Sequence, residues 1–263
     1  MSAKQLERLR KIVDRVGIAL VYPLQGKRLP SLWSELYPGA KMDWAWDEDA
    51  DPRVAEVWRL REELARSGTV AYAKWFQGRA TFFSHDVFLA MLGRFETRGD
   101  PFRGLPDEAV TILDALRERS PQSTKELKAS TDLRGREHER AFTRATKALW
   151  ARLLLVGTGE VDDGAFPSLL YGATELVFED LWRARTKVPA RAKAALAQVL
   201  EAEPAWQREV DRSCRAIEEA TAALRAPRAR AKSVAARSSY EEQERGPGVS
   251  MGDEIDGAGE GDD

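Results

Sequence analysis

The spacing of hydrophobic and polar residues over 107–182 predicts a helix, a short helix, a basic helix and a β-hairpin, in that order. Ser123 is followed three residues later by Glu126, which is the signature of a capping box at the start of the short helix. The expected bounds are 107–119, 124–130, 136–152, 153–156 and 166–171. This order is typical of a winged helix-turn-helix module, which docks on nucleic acid.

The third of these helices has two chemically different sides. At roughly 100° per residue, four cations fall within about 80° of each other. They are Arg136, Arg140, Arg144 and Lys147. The opposite side is formed by Phe142, Ala145, Leu149 and Leu153. One side can therefore pack on a core while the other offers four positive charges to phosphates. The alternative is an ordinary solvated face, partly neutralised by Glu137 and Glu139.

The N-terminal part has a similar outline. Helices are expected over 2–16, 31–37, 51–67 and 84–92. Two β-rich runs between residues 70 and 83 are separated by Gln77-Gly78, which predicts a hairpin with a two-residue turn. Lys74, Gln77 and Arg79 lie near its tip and are candidate DNA contacts.

The domain organisation follows from these outlines and from changes in composition. The fold class is expected to be α+β and mostly helical, with tandem winged-helix-like units and a helical C-terminal extension. Proline and glycine between residues 100 and 106 indicate a linker. The predicted parts are residues 1–100, 106–186, 187–225 and a disordered basic-then-acidic tail at 226–263.

The charge balance is uneven along the chain. The whole chain has a net charge of −2, but residues 241–263 hold nine acids and one base, a charge of −8. Residues 1–240 therefore carry +6, which suits a polyanion-binding protein better than the overall acidic balance suggests. The tail could be a solubilising extension, or it could mimic DNA and occupy the basic helix.

Several classes of protein are disfavoured by the composition. Cys214 is the only cysteine, which excludes an internal disulfide and favours a reducing, cytoplasmic setting. With His85 and His138 as the only histidines, a Cys/His zinc site is not expected, and we predict no metal and no other cofactor. No apolar run is long enough to span a membrane, and the N-terminus has no signal-peptide pattern. The oligomeric state stays open.

Three stretches together resemble the AlkZ/YcaQ-type DNA glycosylase superfamily, and most closely its AlkZ-related branch. They are Ile12–Gly17 with Leu29–Trp33, the hairpin Lys74–Phe82, and Ser123–Trp182. The resemblance covers roughly residues 4–185 and implies tandem winged-helix units that bind double-stranded DNA. It also implies a role in DNA repair, by hydrolysis of the N-glycosidic bond of an alkylated or crosslinked purine.

The resemblance further implies a catalytic Gln-x-Gln or Gln-x-Asp pair after the first helix, which would hold and polarise the attacking water. The matching segment here is Ile18-Ala19-Leu20-Val21 and contains no such pair. Gln25 is the nearest polar candidate, and Asp47, beside Trp44 and Trp46, is another. Two functions stay open: a DNA glycosylase, or a non-catalytic regulatory or repair-accessory DNA-binding protein. A third is an interaction scaffold that does not bind nucleic acid.

Overall fold

The structure is a computed structural model, and it describes residues 3–43, 51–163 and 167–225. The predicted fold class is confirmed: the protein is α+β and mostly helical, with two small antiparallel sheets and a helical C-terminal extension, and its order of elements is consistent with tandem winged-helix-like units. The described residues up to 222 belong to one compact unit. The predicted boundaries at 100, 106 and 186 stay a prediction.

The first module consists of three helices and a three-stranded sheet, followed by one more helix. Its elements are α1 (Ala3–Val16), β1 (Ile18–Leu20), α2 (Leu32–Leu36), α3 (Pro52–Arg66), β2 (Ala71–Phe76), β3 (Arg79–Phe83) and α4 (His85–Glu96). The strand order is β1-β3-β2. Gln77 and Gly78 have φ angles of 53° and 75°, as a type I′ hairpin turn requires. The predicted two-residue turn is therefore present.

The second module repeats the same order of elements. They are α5 (Asp107–Glu118), β4 (Gln122–Ser123), α6 (Thr124–Ser130), α7 (Glu139–Ala151), β5 (Leu155–Val161) and β6 (Ser168–Ala173). The strand order is β4-β6-β5, which corresponds strand for strand to the first sheet. The capping box at Ser123 and Glu126 is confirmed. The two modules therefore share one topology, in which the strand after the first helix pairs with the last strand of the hairpin.

Several boundaries in the second module differ from the prediction, and β6, for example, spans Ser168–Ala173 rather than 166–171. The helix α7 begins at Glu139 rather than at residue 136, because Gly135 has a φ of 91° and the amide groups of His138 and Glu139 donate to carbonyls three residues back, those of Gly135 and Arg136. Strand β5 extends to Val161, so most of the segment expected to be a loop is strand, with a register shift between Gly157 and Glu160.

Most of the C-terminal elements pack back on the first module, whereas α8 packs on the second sheet. They are α8 (Thr174–Val177), α9 (Glu179–Ala184), a 3-10 turn (Arg185–Lys187), α10 (Ala190–Ala202) and α11 (Pro204–Arg225). Helix α10 packs on α4, and the buried Trp206 of α11 contacts Phe76 edge-on, with ring centroids 4.5 Å apart. The predicted linker is held in place, since the buried Arg152 donates to the carbonyl of Pro101 over 2.8 Å.

The two modules pack against each other in a reciprocal way. The third helix of each contacts the first hairpin strand of the other: α3 packs on β5, α7 packs on β2, and β2 and β5 also meet. Tyr72 of β2 lies so close to Gly157 of β5 that a β-carbon on Gly157 would overlap its ring. No helix in the described ranges has the length and apolar character needed to cross a membrane.

Candidate nucleic-acid interface

The amphipathic character predicted for the third helix of the second module is present in α7. Its inner side is formed by Phe142, Ala145, Thr146, Leu149 and Trp150, all buried. Arg140, Arg144 and Lys147 are exposed on the other side, within about 60° of each other at 100° per residue. Arg136 is also exposed, but it lies in the turn before the helix. The surface formed by these four residues is called the α7 basic surface below.

The four cations differ in how far they are neutralised. Arg144 forms an ion pair with Glu108 of α5 at 3.0 Å, with side-chain exposures of 62% and 31%. Among the described residues, neither an ion pair nor a hydrogen bond involves the side chain of Arg136, Arg140 or Lys147. Three positive charges on this surface therefore face solvent without an acidic partner among the residues that the structure describes.

The acids that flank this surface are directed to other partners. Glu139 pairs with Lys128 of α6 at 2.5 Å, and Glu137 lies 3.8 Å from His138. The i,i+4 pairing with glutamate that would neutralise the surface is therefore absent for Arg140 and Lys147 in the described chain. Lys128 neutralises Glu139 and is therefore not counted as part of the α7 basic surface.

The tip of the first hairpin is a second exposed polar site. Gln77 and Arg79 are exposed at the turn, and Lys27 lies 5.3 Å from the centre of the Phe76 ring beside it. Lys74 lies three positions before the turn and is partly buried in β2. Burial lowers the pKa of Lys74, and the nearby charge of Arg61 lowers it further. Lys27 was missed by the sequence analysis because nothing local links its loop to the hairpin.

The second hairpin uses its central acid for packing. Glu160 pairs with Arg61 of α3 at 2.5 Å, and the two side chains are only 7% and 5% exposed. Arg61 also lies over the Trp58 ring, 3.8 Å from its centre, and Arg66 donates to the Glu160 carbonyl over 3.0 Å. The second hairpin thus covers one side of α3, while Trp58 and Arg59 on its outer side stay exposed.

The segment that would carry the catalytic pair is entirely apolar and buried. Ile18, Ala19, Leu20 and Val21 are each at most 1% exposed. Gln25 is exposed in a turn five residues beyond the end of β1, and Asp47 lies outside the described residues. The structure therefore brings no carboxylate or carboxamide of this segment to the position where a water would be activated.

A cleft of about 610 Å³ with a mixed polar and apolar lining lies where α1, α4 and α10 meet, and its charged and polar residues include Asp14, Arg15, His85, Asp86 and Arg191. The Gly68 carbonyl accepts a hydrogen bond from Nε2 of His85 over 3.1 Å. Burial lowers the pKa of His85 below its usual value. Asp86 and Arg191 form an ion pair at 3.3 Å. Among the described residues, no group of acids, histidines and cysteine is arranged to hold a metal ion.

Comparison with known proteins gives one result. No curated protein and no solved structure gives a significant match. A family model described as AlkZ related matches residues 3–210, which include both modules and all of α10. The chain therefore belongs to the AlkZ-related family.

Proposed function

We propose that this protein binds double-stranded DNA through the α7 basic surface and acts as a non-catalytic regulatory or repair-accessory factor. The observation that carries the proposal is the exposure of Arg136, Arg140 and Lys147 without an acidic partner in the described chain. Arginine and lysine on the third helix of a helix-turn-helix module position the protein on the phosphate backbone.

Helix α7 is favoured over the equivalent helix α3 because three of the four arginines of α3, Arg53, Arg61 and Arg66, are paired with acids. Arg61 of α3 is buried in its ion pair with Glu160, and α3 packs on β5. Helix α7 also contacts the other module, through β2, but its cations point away from its buried side. A duplex on α7 would displace counterions from phosphates without breaking a buried contact.

The tip of the first hairpin is a reasonable additional DNA contact. Gln77, Arg79 and Lys27 are exposed there and could reach a groove or the backbone. Lys74 is not included in this proposed contact, because moving its partly buried ammonium group to a phosphate would require a rearrangement of β2.

The non-catalytic part of the proposal rests on β1. Hydrolysis of a glycosidic bond needs a polar group that orients water while positive charge builds up on the sugar. The buried apolar residues Ile18–Val21 supply none. Membership of the AlkZ-related family favours the alternative, a DNA glycosylase acting on alkylated or crosslinked bases, so the experiment must measure base release as well as binding.

The test uses the full chain and duplexes that are either undamaged or contain alkylated or crosslinked purines. Binding is measured by fluorescence anisotropy against salt, and base release by chromatography. Replacing Arg140 and Lys147 by alanine removes two phosphate contacts and should reduce the slope of log K against log salt by about 1.8. The matched control, Lys193→Ala with Arg208→Ala, removes two exposed cations of α10 and α11 and should leave the slope unchanged.

The outcomes separate the two parts of the proposal. Base release above the spontaneous rate would overturn the non-catalytic role and select the glycosylase. Binding that does not weaken with salt would overturn the α7 interface. The same would follow if the control variant bound as weakly as the α7 variant. If no DNA is bound at all, the scaffold alternative remains.

A further inference from the structure

A second row of cations lies on α1, far from α7 in sequence. Lys4, Arg8, Lys11 and Arg15 are all exposed, and at 100° per residue they fall within about 60° of each other. Leu9 and Val13, which are fully buried, lie on the side of α1 that packs on the core. The surface formed by these four cations is called the α1 basic row below.

The acids of α1 do little to neutralise this row. Glu7 and Asp14 both pair with Arg10, which lies outside the row, at 3.0 and 3.8 Å. Lys11 approaches Glu7 only to 3.7 Å, and Arg15 is paired with Glu35 of α2. In the part of the chain that the structure describes, Lys4 and Arg8 have no ion pair. Two cations are thus fully available, and a third is weakly engaged.

The fold itself does not require a basic row at this place. Helix α5 occupies the equivalent position in the second module, where the shared topology asks for the same packing. Its exposed charged residues are Asp107, Asp114, Glu118 and Arg117, and Arg117 is paired with Asp114 and Glu175. Two helices with one structural task therefore have outer faces of opposite sign, which indicates that the charge of α1 serves a different purpose.

We infer that the α1 basic row is a second phosphate-contact surface, which binds the backbone of double-stranded DNA without reading its sequence. The inference rests on the proposed function and extends it from one surface to two. Flexible ammonium and guanidinium groups in a row match a line of phosphates, and each phosphate neutralised releases a counterion. The row contains no aromatic or amide side chain that could select a base.

The experiment compares three variants of the full chain with the wild type: Lys4→Ala with Arg8→Ala, Arg140→Ala with Lys147→Ala, and the control Lys193→Ala with Arg208→Ala. Anisotropy is measured with one undamaged duplex over a range of salt concentrations. The α1 variant should lower the salt slope by about 1.8 and weaken binding about 60-fold at about 0.1 M salt. Thermal unfolding checks that the exposed substitutions leave the fold intact.

Each outcome supports or overturns the inference. If the α7 variant weakens binding and the α1 variant behaves like the control, the inference is wrong and the proposed function stands. If neither variant differs from the control, both are wrong. Vesicles containing phosphatidylserine form a separate arm: an α1 variant that loses vesicle binding but keeps DNA binding would assign the row to a membrane surface and overturn the inference.

Discussion

Replacing Glu108 by glutamine is expected to tighten DNA binding, although it changes a residue outside the α7 basic surface. In the wild type, Arg144 is held by the Glu108 carboxylate at 3.0 Å. Glutamine has nearly the same shape and can stay hydrogen-bonded, but it carries no charge. Arg144 then becomes a fourth available cation beside Arg136, Arg140 and Lys147.

The magnitude distinguishes two ways in which the wild type could bind. If Arg144 stays paired with Glu108 in the complex, the variant gains one phosphate contact, which steepens the salt slope by about 0.9 and tightens binding about eightfold at about 0.1 M salt. If Arg144 already moves to a phosphate, only the exposed ion pair is lost. Such a pair is worth at most about 1 kcal/mol, or about fivefold in affinity, with little change in slope.

The assay is anisotropy with one duplex at several salt concentrations, and the slope decides. Glu118→Gln is the matched control: it removes the same charge from α5, and Glu118 is exposed and without an ion pair in the described chain. The two acids are ten residues apart, about 15 Å along the helix, which is beyond the Debye length at about 0.1 M salt. Equal gains in both variants, or no gain at Glu108, would refute the reasoning.

Three further predictions concern stability. Glu160→Gln or Arg61→Met alone should lower the free energy of unfolding by about 3–5 kcal/mol, because each leaves a buried charge unpaired. The double variant should lose less stability than the sum of the two single losses. Additive losses in denaturant titrations would contradict the pairing. Gly157→Ala should lower the free energy of unfolding by about 1–3 kcal/mol, since the new methyl group would overlap Tyr72. The control Gly78→Ala has open space around it and should show only the strain of its positive φ. An unchanged thermal midpoint in the Gly157 variant would show that the modules are not in close contact there. The pKa of His85 is lowered in the folded protein, so the unfolded chain binds a proton more readily, and stability should fall as the pH drops below the ordinary pKa of 6.5. The variant His85→Asn should reduce that loss of stability between about pH 7.5 and about pH 5.5. An identical pH profile of stability would rule out His85 as the source of the loss.

Local signals in the sequence predicted several elements well. The capping box at Ser123 and the two-residue turn at Gln77-Gly78 each depend on residues a few positions apart. The predicted start of α7 is three residues too early. The helical spacing of side chains extends back to Arg136, but the backbone at Gly135 has a positive φ, and the helix begins only at Glu139.

The tertiary features could not be predicted in the same way. The pair formed by Arg61 and Glu160 joins residues almost a hundred positions apart, so the acid in the second hairpin could not be recognised as buried. Lys27 at the hairpin tip and the Arg144–Glu108 pair also depend on packing between elements. The four cations of the α7 basic surface follow from the spacing of residues along the sequence, but only the structure separates the paired Arg144 from the three that are free in the described residues.

The reciprocal packing of the two modules has a consequence for the proposed complex with DNA. Because each third helix is held against the other module's hairpin, the distance between α7 and the first hairpin is set before any duplex arrives. A binding partner that must touch both has to adapt its own curvature. Duplexes with easily kinked pyrimidine–purine steps at the right separation would therefore be held more tightly than stiff A-tracts of equal length, even though no base is recognised.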